Sequence, residues 1–344
     1  MDSRHSDACR KRVAADIDRV LKLYPLPGLT GKRIFLTGGT GFFGYWLLLS
    51  IARLNESGAN IAVVALSRNP EKFLERYPEF RTAPWLQFIR GDVKNYIFPA
   101  GTFDLFIHGA SDTSPDAAHR ALELFDSIVQ GTRHVFDHAV ACNTQRILLI
   151  SSGAVYGEQP DSVTHIPEDA PYACSSTNPA DAYGEGKRAM EMLAACYARE
   201  YGLVPVFARC FAFIGFGLPT HLAVGQLIHS ALRQGRIVIK GDGKAVRSFL
   251  YSADLAIWLL ALACKGKAGV AYNVGSDEPY RLDELAQVIG DTLGLHRQAE
   301  ILNQSVSTSR IRYVPDVSRI RQDLGVAIWT DMRASIRRMA EDMS

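Results

Sequence analysis

Apolar residues fall into two rhythms along this chain. Nearly continuous apolar runs occur at residues 33–37, 59–66, 85–89, 105–108 and 146–150, as expected of strands buried on both faces of a parallel sheet. Between them the apolar positions recur every three or four residues, which is the helical spacing. Residues 8–24 place Val13, Ile17, Val20, Leu21 and Tyr24 on one face, a short amphipathic helix that Pro25-Leu26-Pro27-Gly28 ends. Helices are also predicted from Tyr45, over 117–141, through Val224, and over 282–293, 317–324 and 331–343. Strands alternating with helices predict an α/β fold, a doubly wound parallel sheet followed by a smaller mixed α/β region.

Bulk properties narrow the setting. The 344 residues carry a net charge of +2, which gives no long-range field for nucleic acid or an anionic membrane. The longest apolar runs, 45–49 and 257–264, are too short to span a bilayer. The N-terminus has Arg4, Arg10, Lys11 and Arg12 but no apolar signal core, so export is not expected. Cys9, Cys142, Cys174, Cys196, Cys210 and Cys264 form no paired or metal-ligand spacing. Buried free thiols in a reducing, cytoplasmic setting are expected, with no metal site.

Chemistry concentrates where strands end. After the first strand comes Gly38-Gly39-Thr40-Gly41-Phe42-Phe43-Gly44, leading into a helix. Glycines at 38, 41 and 44 suit a tight turn, a close backbone approach and helix-on-strand packing, and the helix start offers free amides to a pyrophosphate. Strand, loop and helix in that order point to dinucleotide binding. The second strand ends in Ser67-Arg68, a hydroxyl and a cation where an NAD site prefers a carboxylate. NADP(H) is therefore expected over NAD(H), with stacking on adenine or a solvent-facing Arg68 as alternatives. Ala110 and Ser111 follow the fourth strand and are small enough for a cofactor to lie across the sheet, whereas His108 reads as a packed strand-end residue. The fifth strand delivers Ser151 and Ser152 to the ligand-binding end of the sheet, where they either cap a turn or orient a sugar oxygen. About thirty residues later Tyr183 and Lys187 lie four apart, so both leave one face of a helix. A nearby ammonium favours the phenolate, and a phenol tuned toward neutral pH can move the proton of a sugar hydroxyl.

These motifs resemble the extended short-chain dehydrogenase/reductase family, in its nucleotide-sugar epimerase/dehydratase branch. The resemblance runs from Lys32 to about Arg338 and includes Gly91-Asp92-Val93, the segments 151–157, 209–215 and 241–256, and Tyr272-Asn273-Val274-Gly275-Ser276. Residues 1–31 read as a helical N-terminal extension ahead of it, and the resemblance implies an NAD(P)-binding Rossmann domain (32–214) and a substrate-binding region (215–344), with 250–262 returning to the Rossmann domain. It implies Tyr183 as catalytic base, Lys187 as its partner and ribose contact, and Ser152 as the hydroxyl on the sugar's O4. Asp92 and Val93 would lie at the adenine, and Arg247 on a phosphate of a nucleoside-diphosphate sugar, unless it pairs with Asp242 or Asp254. His221 and Gln226 are further substrate contacts or helix caps, and Cys174 faces either the sugar or the protein. The family also implies a homodimer through the helices at 117–141 and after Tyr183.

One departure selects the chemistry. The family's 4,6-dehydratases carry an Asp-Glu pair directly after the catalytic hydroxyl residue; here Gly153-Ala154 stand there and can move no proton. Dehydration would need Glu158, Glu185 or His221 as substitutes. A 4-epimerase is therefore expected first and an NADPH-dependent 4-keto-6-deoxysugar reductase second. A non-catalytic NAD(P)-binding protein is the reading from another class.

Overall fold

A computed structural model describes residues 7–112, 114, 116, 119–295, 299–303 and 311–343. The predicted start of the long helix at 117 lies outside the described residues; the helix itself runs Ala121–Ala141. Six parallel strands, β1 (Arg33–Thr37), β2 (Ala62–Ser67), β3 (Leu86–Arg90), β4 (Leu105–His108), β5 (Arg146–Ser152) and β6 (Val204–Cys210), form one sheet with Ala271–Val274. Their order is β3-β2-β1-β4-β5-β6 with Ala271–Val274 at the far edge. The chain thus winds outward from β1 through β3, then returns to β4 on the other side of β1. That reversal opens a crevice at the carboxyl ends of β1 and β4, where ligands bind in such sheets.

Alternation along each strand divides the core in two. Ile34, Leu36, Val63, Ala65, Leu148 and Ile150 face one apolar layer, while Phe35, Val64, Leu66, Ile147 and Leu149 face the other. The first layer takes in the helices Asp7–Leu23, Phe42–Glu56 and Ser252–Lys265, and the second takes in Ala121–Ala141 and Ala182–Tyr201. Ser252–Lys265 is buried along nearly its whole length because it packs on the helix Phe42–Glu56, the N-terminal helix and the sheet. The N-terminal helix is tied down by Asp16, which accepts a hydrogen bond from the Tyr251 hydroxyl (2.6 Å) and pairs with Arg338 (2.5 Å).

Short strands beyond β6 bring more residues to the carboxyl end. Phe213–Ile214 pairs with Leu250–Tyr251, and Val246–Arg247 pairs with both Tyr280–Arg281 and Arg312–Tyr313. None of the six cysteines is in a disulfide; Cys9, Cys174 and Cys210 are buried as expected, Cys142 and Cys264 are half-buried, and Cys196 is exposed. Among the described residues no helix is long and apolar enough to cross a membrane.

Candidate active site

The glycine loop closes tightly on its own chain. A Cβ on Gly38, whose φ is +76°, would lie 2.6 Å from the carbonyl of Gly109, and one on Gly44 would lie 2.3 Å from the carbonyl of Gly39. Gly41 differs: its Cβ would meet only the Gly38 oxygen, at 3.4 Å. The chain itself leaves room there, and that room is the crevice. Gly41 caps the helix Phe42–Glu56 with no side-chain hydrogen bond, so the amides of the first turn remain for a ligand.

A cleft of about 410 Å³ runs from this loop across the sheet. Gly38, Thr40, Gly41, Phe42 and Phe43 line it on the β1 side, while Gly44 lies behind the loop as a packing residue. At the β2 tip the Ser67 and Thr40 hydroxyls are 3.0 Å apart, and exposed Arg68 stands on the rim. Asp112 lies across the cleft. Burial pushes its carboxyl up, but hydrogen bonds from Ser114 and the charges of Arg68 and Arg120 outweigh that and hold it below its ordinary range. Asp92, Val93, Ala110 and Ser111 line the same cleft. The Ser111 hydroxyl is buried with no hydrogen-bond partner among the described residues, an orphan that a bound polar ligand would satisfy.

Ser152, Tyr183 and Lys187 line the other end of this cleft. The helix Ala182–Tyr201 carries Tyr183 in its first turn and Lys187 one turn on. The Lys187 ammonium is 5.8 Å from the Tyr183 ring centroid and donates to the Ile150 carbonyl at 2.8 Å. Burial pushes Lys187 down to about 8, while Cys210 and Glu191 pull the other way. Ser152, 8 % exposed, accepts from the Ala154 amide at 3.1 Å. The neighbouring Ser151 hydroxyl instead donates to Glu191 at 2.6 Å, which separates the two serines by task. His108 is buried between Thr37 (2.7 Å) and Thr132 (3.1 Å), and desolvation pushes it down to about 3, so it is a neutral packed residue.

The place of the absent acid pair is filled. A Cβ on Gly153 would lie 2.7 Å from the Phe211 ring and 2.7 Å from the Tyr313 hydroxyl, and Ala154 is buried. Of the proposed substitutes, Glu185 pairs with Arg188 at 3.3 Å, and Glu158 lines an outer chamber.

That outer chamber, about 760 Å³, shares Phe211, Phe213 and Tyr313 with the first cleft and has Arg247 and Cys174 in its wall. Arg247 donates to the carbonyls of Val246 (2.8 Å) and Ile311 (3.2 Å). Asp254 is buried and committed to Trp329 and Thr330, and Asp242 accepts from the Lys244 amide. The Cys174 thiol donates to the Ala154 carbonyl at 2.9 Å. A third, more apolar chamber of about 360 Å³ adjoins Tyr183 and holds His221. Gln226 lines none of these three spaces, and the helix that carries it is capped at Leu222 with no side-chain bond, so neither His221 nor Gln226 is a cap.

Sequence reasoning named Phe211 and Phe213 only within the segment 209–215, and it missed Glu191 and Tyr313. Glu191 had a signal, since it stands four residues after Lys187 on the same helical face. Tyr313 had none, because a two-residue strand far along the chain places it.

Comparison with known proteins agrees with this fold. The chain is 27% identical over 281 residues to a trifunctional UDP-glucose 4,6-dehydratase/UDP-4-keto-6-deoxy-D-glucose 3,5-epimerase/UDP-4-keto-L-rhamnose-reductase of Arabidopsis thaliana, covering 79% of this chain but only 41% of that protein. It is 28% identical over 325 residues to UDP-glucuronic acid decarboxylase 6 of the same plant, covering 91% of this chain and 89% of the relative. The crystal structure of UDP-glucose 4-epimerase from Thermotoga maritima with UDP-glucose superimposes with a TM-score of 0.78 at 20% identity, covering 90% of this chain and 98% of that one. Residues 34–275 match the NAD dependent epimerase/dehydratase family, and the chain belongs to it.

Proposed function

We propose that this chain is an NAD(P)-dependent nucleotide-sugar 4-epimerase. The observation that carries this reading is the wall shared by Ser152, Tyr183 and Lys187, with no proton-moving side chain at 153 or 154. The residues around the first cleft fit the cofactor: Gly41 leaves space beside the free helix amides, and the Ser111 hydroxyl lacks a partner. When bound, NAD(P) supplies a nicotinamide that takes hydride from the sugar carbon and gives it back.

The chain's own residues do the rest. Tyr183 removes the proton of the sugar 4-hydroxyl and later returns it. Lys187 favours the phenolate through its charge. Ser152 donates to the same oxygen, stabilising it while it has carbonyl character. Arg247, in the wall of the outer chamber, presents paired donors to a phosphate of the substrate. The test uses purified protein with UDP-, dTDP- and GDP-hexoses. Formation of the C4 epimer by NMR, without net change in NAD(P)H absorbance, is the expected result.

Arg68 supports a second reading, a 4-keto-sugar reductase that uses NADPH, because an exposed guanidinium stands at the β2 tip. Arg68→Ala is expected to weaken NADPH binding about tenfold, the loss of one charge-assisted contact, and to leave NADH binding unchanged. Fluorescence titration with both cofactors checks this. Equal losses would mean that Arg68 stacks on adenine, and stoichiometric NADPH oxidation by a 4-keto sugar would replace epimerisation with reduction.

A further inference from the structure

The helix Ala182–Tyr201 is stitched to β5 by two successive turns. Lys187 donates to the carbonyl of Ile150 (2.8 Å), and one turn later Glu191 accepts from the hydroxyl of Ser151 (2.6 Å). The next residue of that strand is Ser152. Glu191 also holds Arg209 of β6 through two contacts, Nε to Oε1 at 3.0 Å and Nη2 to Oε2 at 2.7 Å. Ser151 and Arg209 are register partners across β5 and β6, and the following rung pairs Ser152 with Cys210. One carboxylate therefore grips both strands a single rung before Ser152. Arg209 is anchored in turn by the Tyr156 hydroxyl (2.9 Å) and the Glu168 carbonyl (2.9 Å), so the clamp has a fixed base.

We propose that Glu191 is a positioning residue: it fixes the Tyr183 helix against the rung that carries Ser152 and supplies the charge that keeps Lys187 an ammonium. The inference rests on the proposed roles of those three residues. A carboxylate at this point does two things that a neutral residue of the same shape does not. It accepts from Arg209 on both oxygens while Oε1 also takes the Ser151 hydroxyl, and its charge opposes the burial that drives Lys187 toward the neutral amine. The groups facing Lys187 are Tyr183 and Glu191 on its own helix, the Ile150 carbonyl on β5, Cys210 on β6 and His108 on β4. Cys210 is pushed up to about 12 by desolvation and His108 is neutral, so Glu191 is the anion among them at neutral pH.

The test is the pH dependence of NADH and NADPH binding, followed by fluorescence from pH 6 to 10, which needs no sugar substrate. Wild-type affinity is expected to fall as Lys187 loses its proton, with a break near 8. Glu191→Gln should move that break down by about one unit. Arg209→Met, which leaves the carboxylate without its cation, should move it up. Ser151→Ala, which changes no charge, should leave it in place. Either charge variant decides the sign if the other does not fold, and Glu191→Asp should restore the wild-type break. A break that stays put in Glu191→Gln, or moves the same way in both charge variants, overturns the proposal while leaving the 4-epimerase reading intact. A wild-type protein that binds neither cofactor overturns both.

Discussion

Replacing Tyr183 with Phe is expected to lower kcat about 10²- to 10⁴-fold, the usual contribution of a positioned proton-transfer group, and to leave cofactor content unchanged. The ring packs against the second apolar layer, and Phe keeps that packing while removing only the hydroxyl. Turnover, cofactor release by mass spectrometry and Tm on the same preparation separate these outcomes. Unchanged biological activity with retained cofactor would favour a binding protein with no hydride chemistry. In the wild type, the rate is expected to fall as pH rises through about 8, because the ammonium that favours the phenolate is then lost.

The same lysine has the opposite effect on stability. Its folded pKa lies below the ordinary 10.5, so the unfolded chain binds more protons between about 8 and 10.5. The cost of burying the ammonium, roughly 3 kcal/mol, is full below about pH 8 and is relieved as pH rises toward 10.5. Lys187's own contribution to stability therefore improves over the window in which activity declines. The difference in unfolding free energy between the wild type and Lys187→Met, measured at pH 7 and pH 10, isolates it from the tyrosines and thiols that titrate there once the chain unfolds. A difference independent of pH would show that Lys187 is not carrying a buried charge.

Much of this architecture is legible in the chain because double-sided burial leaves a plain mark. Strands such as residues 146–150 read as apolar runs since nothing polar is tolerated on either face. Boundaries were less legible where backbone conformation or pairing decides them. β2 begins at Ala62 rather than at 59 because Asn60 takes φ +53° in the turn that precedes it. β5 extends through Ser151 and Ser152 because β6 pairs with it as far as Cys210, which no property of the two serines announces. The helix after the glycine loop starts at Phe42, not Tyr45, since Gly41 already caps it and the two phenylalanines form its first turn. Of the residues tied to a local motif, Gly38, Gly41, Ser152, Tyr183 and Lys187 line one cleft, while Gly44 packs behind it. Phe213 and Tyr313 were not legible as individual residues of the site, because these rings at the junction of the two clefts are placed by two-residue strands whose partners lie far away in sequence.

The glycine loop offers the other large effect, because two of its glycines are excluded from carrying a side chain for different reasons. In Gly44→Ala the new methyl would meet the carbonyl carbon and oxygen of Gly39 at 2.3 Å. Those are backbone atoms of the turn itself, so the helix Phe42–Glu56 must shift away from β1 and from the wall it shares with the cleft. Overpacking of this kind costs about 1–3 kcal/mol or more, which is expected to lower Tm of the apo protein by several degrees and to abolish measurable NADH and NADPH binding. In Gly41→Ala the methyl meets only the Gly38 oxygen, at 3.4 Å, an ordinary contact. The apo protein should then melt as the wild type does, while the methyl occupies the approach of a pyrophosphate to the helix amides and weakens cofactor binding at least tenfold (about 1.4 kcal/mol). Apo melting curves set beside cofactor titrations separate the two sites. Wild-type cofactor affinity in Gly41→Ala would mean that no dinucleotide lies against this loop, and a wild-type melting curve for Gly44→Ala would mean that the helix and its turn are not packed as closely as the 2.3 Å contact requires.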